Sequence, residues 1–503
     1  MAKQSSLHRV LVGSSIYFIA NLLTKALSFL LLPVYTRYLT PEDYGIIGLS
    51  QAFIQLLLTA TQLGLLDAVA RLYFRYYHDS DKLRSYLTSV MAILAAFSLC
   101  VSLGMTVAHK PLSMAIFNRP GLDAYLLLVL WAVPLTQIIE LSQAVLVASE
   151  RPIAFSTIYS GRLFATEFFS ILFIVIMRQG AWGSLKADLF AATLIAMVAL
   201  ALFRRYFAPA FNRAYVGESL RFGLPLVPGL LSGWILSYAN RIFLIRYGAL
   251  SNVGLYTVGY TFSSLMSLFV VSVTQAWNPF FYKSMEERTP ESERLVVQST
   301  TLLVAVFTAV AFALSLFSRE IVMIMAASQY HAAYVVVPIL VTYYFLGGLN
   351  QIVVPRLLFV GKTHWISVVA FISMSVTIAA SILLIPRLDI VGAALAMALA
   401  GVVVLAVNFA LAWRYNPLHY EYRAIAKIVG LALALFLISR ALPQWDLVPA
   451  MLAKSVFTVA FIGGLFSVHT FNTEEIQMLQ QIVVALRKRL CLLLMMRAIS
   501  APF

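Results

Sequence analysis

The chain has 503 residues, 61% apolar and 11% charged, with 36 Lys and Arg against 21 Asp and Glu. Soluble domains carry about 25% charged residues, so a mean hydropathy of +0.88 excludes a water-soluble globular protein. The formal charge of +15 does not point to nucleic acid, because an excess of Lys and Arg on the inner side of a multi-pass protein accounts for it.

Other classes fall away quickly. The ~10-residue alternation of a membrane barrel is absent. So are a P-loop, a GxGxxG turn and any Cys/His cluster, and the two cysteines, Cys100 and Cys491, form neither a disulfide framework nor a metal site. No metal, catalytic constellation or resident cofactor is expected.

Apolar runs able to cross ~30 Å of hydrocarbon recur from end to end. The predicted spans are 10–35, 44–66, 86–108, 122–148, 153–177, 184–203, 222–245, 254–280, 296–318, 332–355, 366–386, 390–412, 425–441 and 448–471. The first is too long for the core of a signal peptide and reads as an uncleaved helix. Beyond the last, Thr473 to Arg497 carries Ile476, Leu479, Val483 and Leu486 at helical spacing before a basic RKR, the pattern of a helix lying on a membrane surface. With both termini inside, 23 Lys and Arg fall on the inner side, nine on the outer side and four within spans. This split predicts cytoplasmic termini and an even number of crossings.

The chain also repeats itself. Arg37 and Gly45 recur as Arg246 and Gly254, and Arg178 and Gly183 as Arg387 and Gly392, all at one offset of 209. Two parallel six-helix halves explain that offset, and duplicated bundles of this kind usually carry solutes. The predicted divisions are 1–214, 215–414, two further helices over 415–471 and a cytoplasmic tail over 472–503. The fold class is therefore an all-α polytopic membrane protein of about fourteen helices.

A charge at mid-bilayer costs about 2.5–3.5 kcal/mol on insertion scales and needs a reason. Lys25 shares a face with Asn21 and Tyr17 in the first span; it reads either as a cation lining a cavity or as half of a structural ion pair. Arg241 follows Asn240 in the seventh span, beyond the breaks at Pro225, Pro228 and Gly229. It reads either as a cavity cation or as an Arg reaching the outer interface. Arg162 and Glu167 occupy the fifth span and Glu140 the fourth. A Glu140–Arg162 ion pair and a protonatable coupling site at Glu140 or Glu167 are the competing readings. Asp67 and Arg71 suit an i,i+4 pair, and Lys454 suits a snorkelling role. Gln51, Gln55, Thr59 and Gln62 stripe the second span; Tyr256, Tyr260, Ser263 and Ser267 stripe the eighth. Such groups either bind sugar hydroxyls or bind neighbouring helices.

The stretch LLPVYTRYLTPEDYGIIGL resembles the opening signature of Wzx-type polysaccharide flippases. GLLDAVARLYFRYY is similar to the segment after their second helix, and FGLPLVPGLLSGWILSYANRIFLIRYGALSNVGLYTVGY to their seventh-helix signature. LLFVGKTHWISV and IPRLDIVGAALAMALAG resemble their helices ten to twelve. The set covers most of residues 10–412. This family belongs to the multidrug/oligosaccharidyl-lipid/polysaccharide exporter superfamily. The resemblance implies two six-helix lobes in a V, often with two added helices, and translocation of an undecaprenyl-pyrophosphate-linked oligosaccharide from the cytoplasmic to the periplasmic leaflet of the bacterial inner membrane. The family often has Asp-Arg in helix seven; this chain has Asn240-Arg241, which preserves the cation and loses the acid.

The leading expectation is thus a flippase for a lipid-linked oligosaccharide. Lys25, Arg162 and Arg241 would hold the pyrophosphate, and Asn21, Gln51, Gln55, Asn240, Tyr256 and Tyr260 would line a polar cavity. Glu140 or Glu167 would couple transport to H+ or Na+. Membrane lipids, a polysaccharide polymerase and its chain-length machinery are the expected partners. The alternative is an ion-coupled drug or organic-cation antiporter of the same fold. A membrane polymerase or glycosyltransferase is disfavoured, because the short outer loops carry no cluster of acids. A non-transporting scaffold would tolerate loss of the cavity charges.

Overall fold

The computed structural model describes residues 27, 29–206, 211–441, 443 and 445–467. Among the described residues all regular structure is helical. Most of the first expected span and the whole amphipathic stretch expected at 473–497 lie outside them. Helix α1 is described over 29–38. There follow α2 (Pro41–Thr61), α3 (Leu65–Tyr76), α4 (Ser80–Val107), α5 (His109–Phe117), α6 (Asp123–Ala148), α7 (Pro152–Ser170) and α8 (Gly180–Phe203). The second half runs α9 (Arg213–Gly223), α10 (Val227–Tyr247), α11 (Leu250–Glu287), α12 (Pro290–Leu316), α13 (Ser318–Met325), α14 (Val337–Phe359) and α15 (His364–Tyr415). Helices α16 (Tyr422–Arg440) and α17 (Leu447–Ser467) close the described chain.

Hydrocarbon offers no water to the backbone, so a spanning chain must bond its peptide groups within helices. Twelve helical stretches among the described residues are long and apolar enough to cross, α9 and α10 counting as one. The 52-residue α15 turns at Asp389, where φ is 51° and ψ −126°, and Gly392 returns against Leu384 and Ile385. It therefore supplies two crossings. The chain is an all-α, multi-pass membrane protein.

The repeat is visible in helix boundaries. Pro41 opens α2 and Leu250 opens α11; Val107 ends α4 and Leu316 ends α12; α5 begins at His109 and α13 at Ser318. Each pair is one repeat length apart. Packing repeats as well: α6 lies against α2, α4 and α8, and α14 against α11, α12 and α15. Local sequence explains the starts. Thr40 and Asp43 form a capping box around Pro41, and Thr289 and Ser292 form one around Pro290, satisfying amides that a helix start leaves open. The returns between α7 and α8 and within α15 fall at equivalent residues with positive φ, Gly180 (59°) and Asp389 (51°). Asp43 accepts from the Ala181 amide at 2.9 Å. Its counterpart in the second half, Asn252, donates to Asp389, so the same tie is made with different chemistry.

The halves meet where α2 crosses α11. A Cβ at Gly45 would lie 2.1 Å from the Leu250 carbonyl oxygen, and one at Gly254 would lie 1.9 Å from that of Pro41. Gly45 and Gly254 are equivalent in the repeat, as are Pro41 and Leu250, so the contact is reciprocal about a pseudo-two-fold axis. Gly48 meets Thr257, its own equivalent, across the same seam. Small residues at membrane helix crossings let backbones approach this closely. Farther along α2, the Trp234 indole of α10 donates to the Ala52 carbonyl at 2.8 Å.

At the opposite end, α9 packs on α3 and α4. Glu218 accepts from Arg75 and Tyr76, and Tyr215 sits edge-on to Tyr76 and Tyr86. Burial and the neighbouring carboxylate push the Tyr76 hydroxyl up to about 12, so it stays a proton donor. Arg71 covers the Phe222 ring rather than joining the Asp67 pair expected from sequence. The 214/215 division falls in the first turn of α9, yet α9 rests on the first half. The chain passes to the second half through the 3-10 turn Leu224–Leu226.

Helices α16 and α17 pack on α12. Lys454, expected to snorkel, instead turns inward and binds both oxygens of Glu320 at 2.8 Å. Arg356, which follows the predicted span 332–355, is fully buried. It donates to the Ala412 and Asn416 carbonyls, closing the end of α15.

Replacing Gly254 by Val is expected to destabilise the bundle by about 1–3 kcal/mol through overpacking. The check is a lower melting temperature of the purified protein in detergent. Gly217→Val, at a position with open space around it, serves as the control and is expected to leave it within about 0.5 kcal/mol.

Candidate transport site

Helix α10 forms one wall of the seam between the halves. Arg241 is 3% exposed, and its Nη1 donates to the Ser237 carbonyl one turn earlier at 3.1 Å. Its guanidinium lies over three rings: Tyr260 at 4.8 Å, Tyr238 at 5.3 Å and Tyr256 at 5.9 Å. Its Nε is buried with no acceptor. No carboxylate among the described residues pairs with it. Cation–π contact is worth about 2 kcal/mol or more when desolvated, which offsets only part of the cost of burying a guanidinium without a counterion.

Beside this cage lies a cavity of about 450 Å³ bounded by α1, α10, α11 and α14. Phe29, Ser237, Tyr260, Ser264, Ser267 and Tyr343 contribute to its wall. Phe29 is held edge-on to Phe262, and Tyr260 edge-on to Tyr344. The wall is therefore aromatic and hydroxylic, with the cation set directly behind Ser237 and Tyr260.

The expected site residues divide into groups. Tyr260 reaches the cavity and, with Tyr256, caps Arg241. Tyr256 is itself fully buried, its hydroxyl donating to the Met397 sulfur. Ser267 lines the cavity, whereas Ser263 is consumed by the Gly259 and Val337 carbonyls. Asn240 is buried among helices. It donates to Tyr256 and to the Ala393 carbonyl, and accepts from Ser381 at 2.9 Å, joining α10, α11 and both arms of α15. Gln51 is exposed and Gln55 half-buried on α2, flanking the residue that holds Trp234. Lys25 and Asn21 lie outside the described residues.

Arg162 does not join Arg241. It grips Asp188 of α8 through Nη2 at 2.5 Å and the Asp188 carbonyl through Nη1 at 2.9 Å. This replaces the Glu140–Arg162 pair expected from sequence. Asp188 follows Lys186 by two residues at the start of an apolar run, and nothing in its spacing points to Arg162, 26 positions earlier. Glu167 accepts from the Tyr35 hydroxyl, linking α7 to α1. Glu140 is half-buried on α6, with no ion pair or hydrogen bond among the described residues. Tyr238, Tyr343 and Tyr344 were not anticipated; the only available signal was a run of aromatic residues within predicted spans. Among the described residues no group of three or more His, Cys, Asp or Glu could hold a metal.

Comparisons with known proteins agree with this architecture. The profile of a family described as "Polysaccharide biosynthesis protein" matches residues 10–285, more than half of the chain. The succinoglycan biosynthesis transport protein ExoT of Rhizobium meliloti is 26% identical over 325 residues, covering 63% of this chain and 62% of that protein. The match thus spans under two thirds of that relative. Lsg locus putative protein 1 of Haemophilus influenzae is 22% identical over 303 residues, covering 58% of this chain and 69% of its own length. Among solved structures, the lipid II flippase MurJ in an inward closed conformation superposes with a TM-score of 0.72 at 14% identity, covering 89% of this chain and 98% of that one. An inward-facing multidrug resistance MATE family transporter of the MOP superfamily gives 0.65 at 14% identity, covering 81% and 96%. The chain shares its fold with these two structures.

The Arg162–Asp188 pair is partly exposed, so Arg162→Met alone is expected to cost about 1–3 kcal/mol. Adding Asp188→Leu should recover most of that loss, because it removes the uncompensated carboxylate. Unfolding of the two variants and the parent in detergent checks this.

Proposed function

The chain belongs to the polysaccharide biosynthesis protein family, and from that membership we propose that it is a flippase. In this reading it moves an undecaprenyl-pyrophosphate-linked oligosaccharide from the cytoplasmic to the periplasmic leaflet of a bacterial inner membrane, for surface polysaccharide assembly. The observation that carries the reading is Arg241: a buried cation with no carboxylate partner among the described residues, caged by tyrosines and set behind Ser237 and Tyr260 in the wall of a cavity between the halves. A pyrophosphate supplies the missing charge and accepts charge-assisted hydrogen bonds from the guanidinium. Tyr260, Tyr343 and the cavity serines offer hydroxyls and aromatic faces to sugars, while the polyprenyl chain stays in lipid. Lys25, four residues ahead of the cavity-lining Phe29 in the sequence, is the proposed second cation. Arg162 is withdrawn from this role by its bond to Asp188; Gln51 and Gln55 remain candidates for sugar contacts.

Both termini are cytoplasmic in this proposal, which puts the α2–α11 glycine crossing at the periplasmic end. Its closure suits an inward-accessible state. The two halves would rock about the Leu224–Leu226 turn, with α9 carried as part of the first half, so that the crossing parts when the cavity opens outward. A polymerase and chain-length proteins would receive the product.

One observation favours a second reading, an ion-coupled organic-cation antiporter of the same fold: Glu140 is an acid within a span with no partner among the described residues. In the flippase reading the same group takes up H+ or Na+ to drive the return step.

Losing one charged hydrogen bond worth about 2 kcal/mol lowers affinity about thirtyfold. Arg241→Gln is therefore expected to stop polymer export at normal membrane abundance, with Arg241→Lys retaining part of it. Normal export by Arg241→Gln, or by Lys25→Ala, defeats the cationic-cavity reading. Glu140→Gln is expected to leave glycolipid binding intact and to slow transport driven by a proton or sodium gradient in proteoliposomes. If the protein instead moves an organic cation and ignores the glycolipid, the antiporter reading replaces the first.

A further inference from the structure

A second polar cavity lies far from Arg241, where the appended helices meet the second half. It measures about 180 Å³, well above the roughly 10–15 Å³ that one water needs. It sits at the end of the bundle where α12 and α16 finish and α13 and α17 begin. Three cations line it, Arg319, Arg440 and Lys454, against one acid, Glu320. Lys454 and the 2%-exposed Glu320 neutralise one another. Two guanidiniums are left over, and neither has a carboxylate or hydrogen-bond partner among the described residues. The Asp446 side chain nearby in sequence is exposed and is not part of the lining.

Arg319 is half-buried and Arg440 exposed at the rim of the cavity; two like charges at one cavity repel, and an anion between them relieves that repulsion. Arg440, in the last turn of α16, is favoured by that helix's own dipole; Arg319, in the first turn of α13, is opposed by its helix and has no local reason to be there. The other polar groups are also donors without partners among the described residues: the hydroxyls of Ser315, Ser318 and Tyr334 and the indole N–H of Trp445. The cavity is thus a set of free donors with a surplus of two positive charges. Its position near helix ends, beside a half-exposed Trp445, matches the depth of lipid headgroups.

We propose that this cavity binds a phosphate oxyanion, that of an anionic lipid headgroup, and that the bound lipid staples α16 and α17 to α12 and α13. Arg319 and Arg440 hold the phosphate oxygens, the serines and Trp445 complete the hydrogen bonding, and the Lys454–Glu320 pair forms the floor. The proposal is independent of the nature of the cargo, because none of these groups borders the Arg241 cavity.

The test uses the full chain purified in a neutral detergent. It is incubated with phosphatidylglycerol, with phosphatidylcholine or with inorganic phosphate alone. Native mass spectrometry reads retained lipid, and thermal unfolding reads stabilisation. Phosphatidylglycerol should be retained and raise Tm, and phosphatidylcholine should do neither. Arg319→Gln with Arg440→Gln should weaken phosphatidylglycerol retention about tenfold, while the double Lys variant, which keeps both charges, should preserve it. Equal stabilisation by inorganic phosphate, lost in the same Gln variant, supports the oxyanion site and moves its source from lipid to a soluble anion. Retention unchanged in the Gln variant, or equal for the two lipids, overturns the proposal. A Gln variant that elutes as aggregate is replaced by Ser318→Val with Trp445→Phe, for which a smaller loss of retention is expected and unchanged retention counts against the site.

Discussion

The close approach of α2 and α11 is the constraint on which the rest of the molecule depends. Four residues, Pro41, Gly45, Leu250 and Gly254, bring two helix backbones together at distances that leave no room for a Cβ. Because the residues are equivalent in the repeat, one geometry serves both directions of the contact, and a single crossing sets a pseudo-two-fold axis. Everything placed symmetrically around it follows: the paired returns at Gly180 and Asp389, the matched ends of α4 and α12, and the seam in which α10 and α11 face the first half. In hydrocarbon this contact draws on close packing rather than on water exclusion; in the proposed cycle it parts and re-forms.

The symmetry is broken in three places. The first half ties its return with a carboxylate accepting from a backbone amide, Asp43 to Ala181; the second uses an amide donating to a carboxylate, Asn252 to Asp389. The helical break at Leu63 and Gly64, both at positive φ, has no counterpart in α11, which continues unbroken to Glu287. Gly64 there meets Gly223 backbone to backbone, so the first half presents a socket for α9. The cations also divide unequally. The first half neutralises Arg162 with Asp188, while in the second Arg241 meets aromatic rings and the Ser237 carbonyl and no carboxylate among the described residues. An aromatic cage holds a guanidinium in place and keeps its charge available, which a carboxylate would cancel.

The paired cations have a different meaning from the unpaired ones. Lys454–Glu320 and Arg162–Asp188 pin helices together, and Arg356 satisfies carbonyls at the end of α15; each is a closed arrangement. Arg241, Arg319 and Arg440 are open arrangements, each with donor capacity that the described protein does not use. Where an uncompensated charge is costly, such unused donors are the groups on which the proposed sites rest.

Much of this was legible in the amino-acid sequence. Hydrocarbon admits only long apolar helices, so composition alone determined the class, and the recurring Arg and Gly at one offset determined the duplication. Those glycines were legible because a close crossing tolerates no other residue. Family signatures then identified Arg241 as the cation to watch. What the sequence could not decide was partnership. Whether Arg162 met Glu140 or Asp188, whether Lys454 reached water or Glu320, and which of Tyr256, Tyr260 and Ser263 faced a cavity all depend on contacts between helices far apart in the chain. Helical periodicity assigns a residue to a face, and only tertiary packing decides what that face meets. A side chain in low dielectric takes its role from its nearest neighbour.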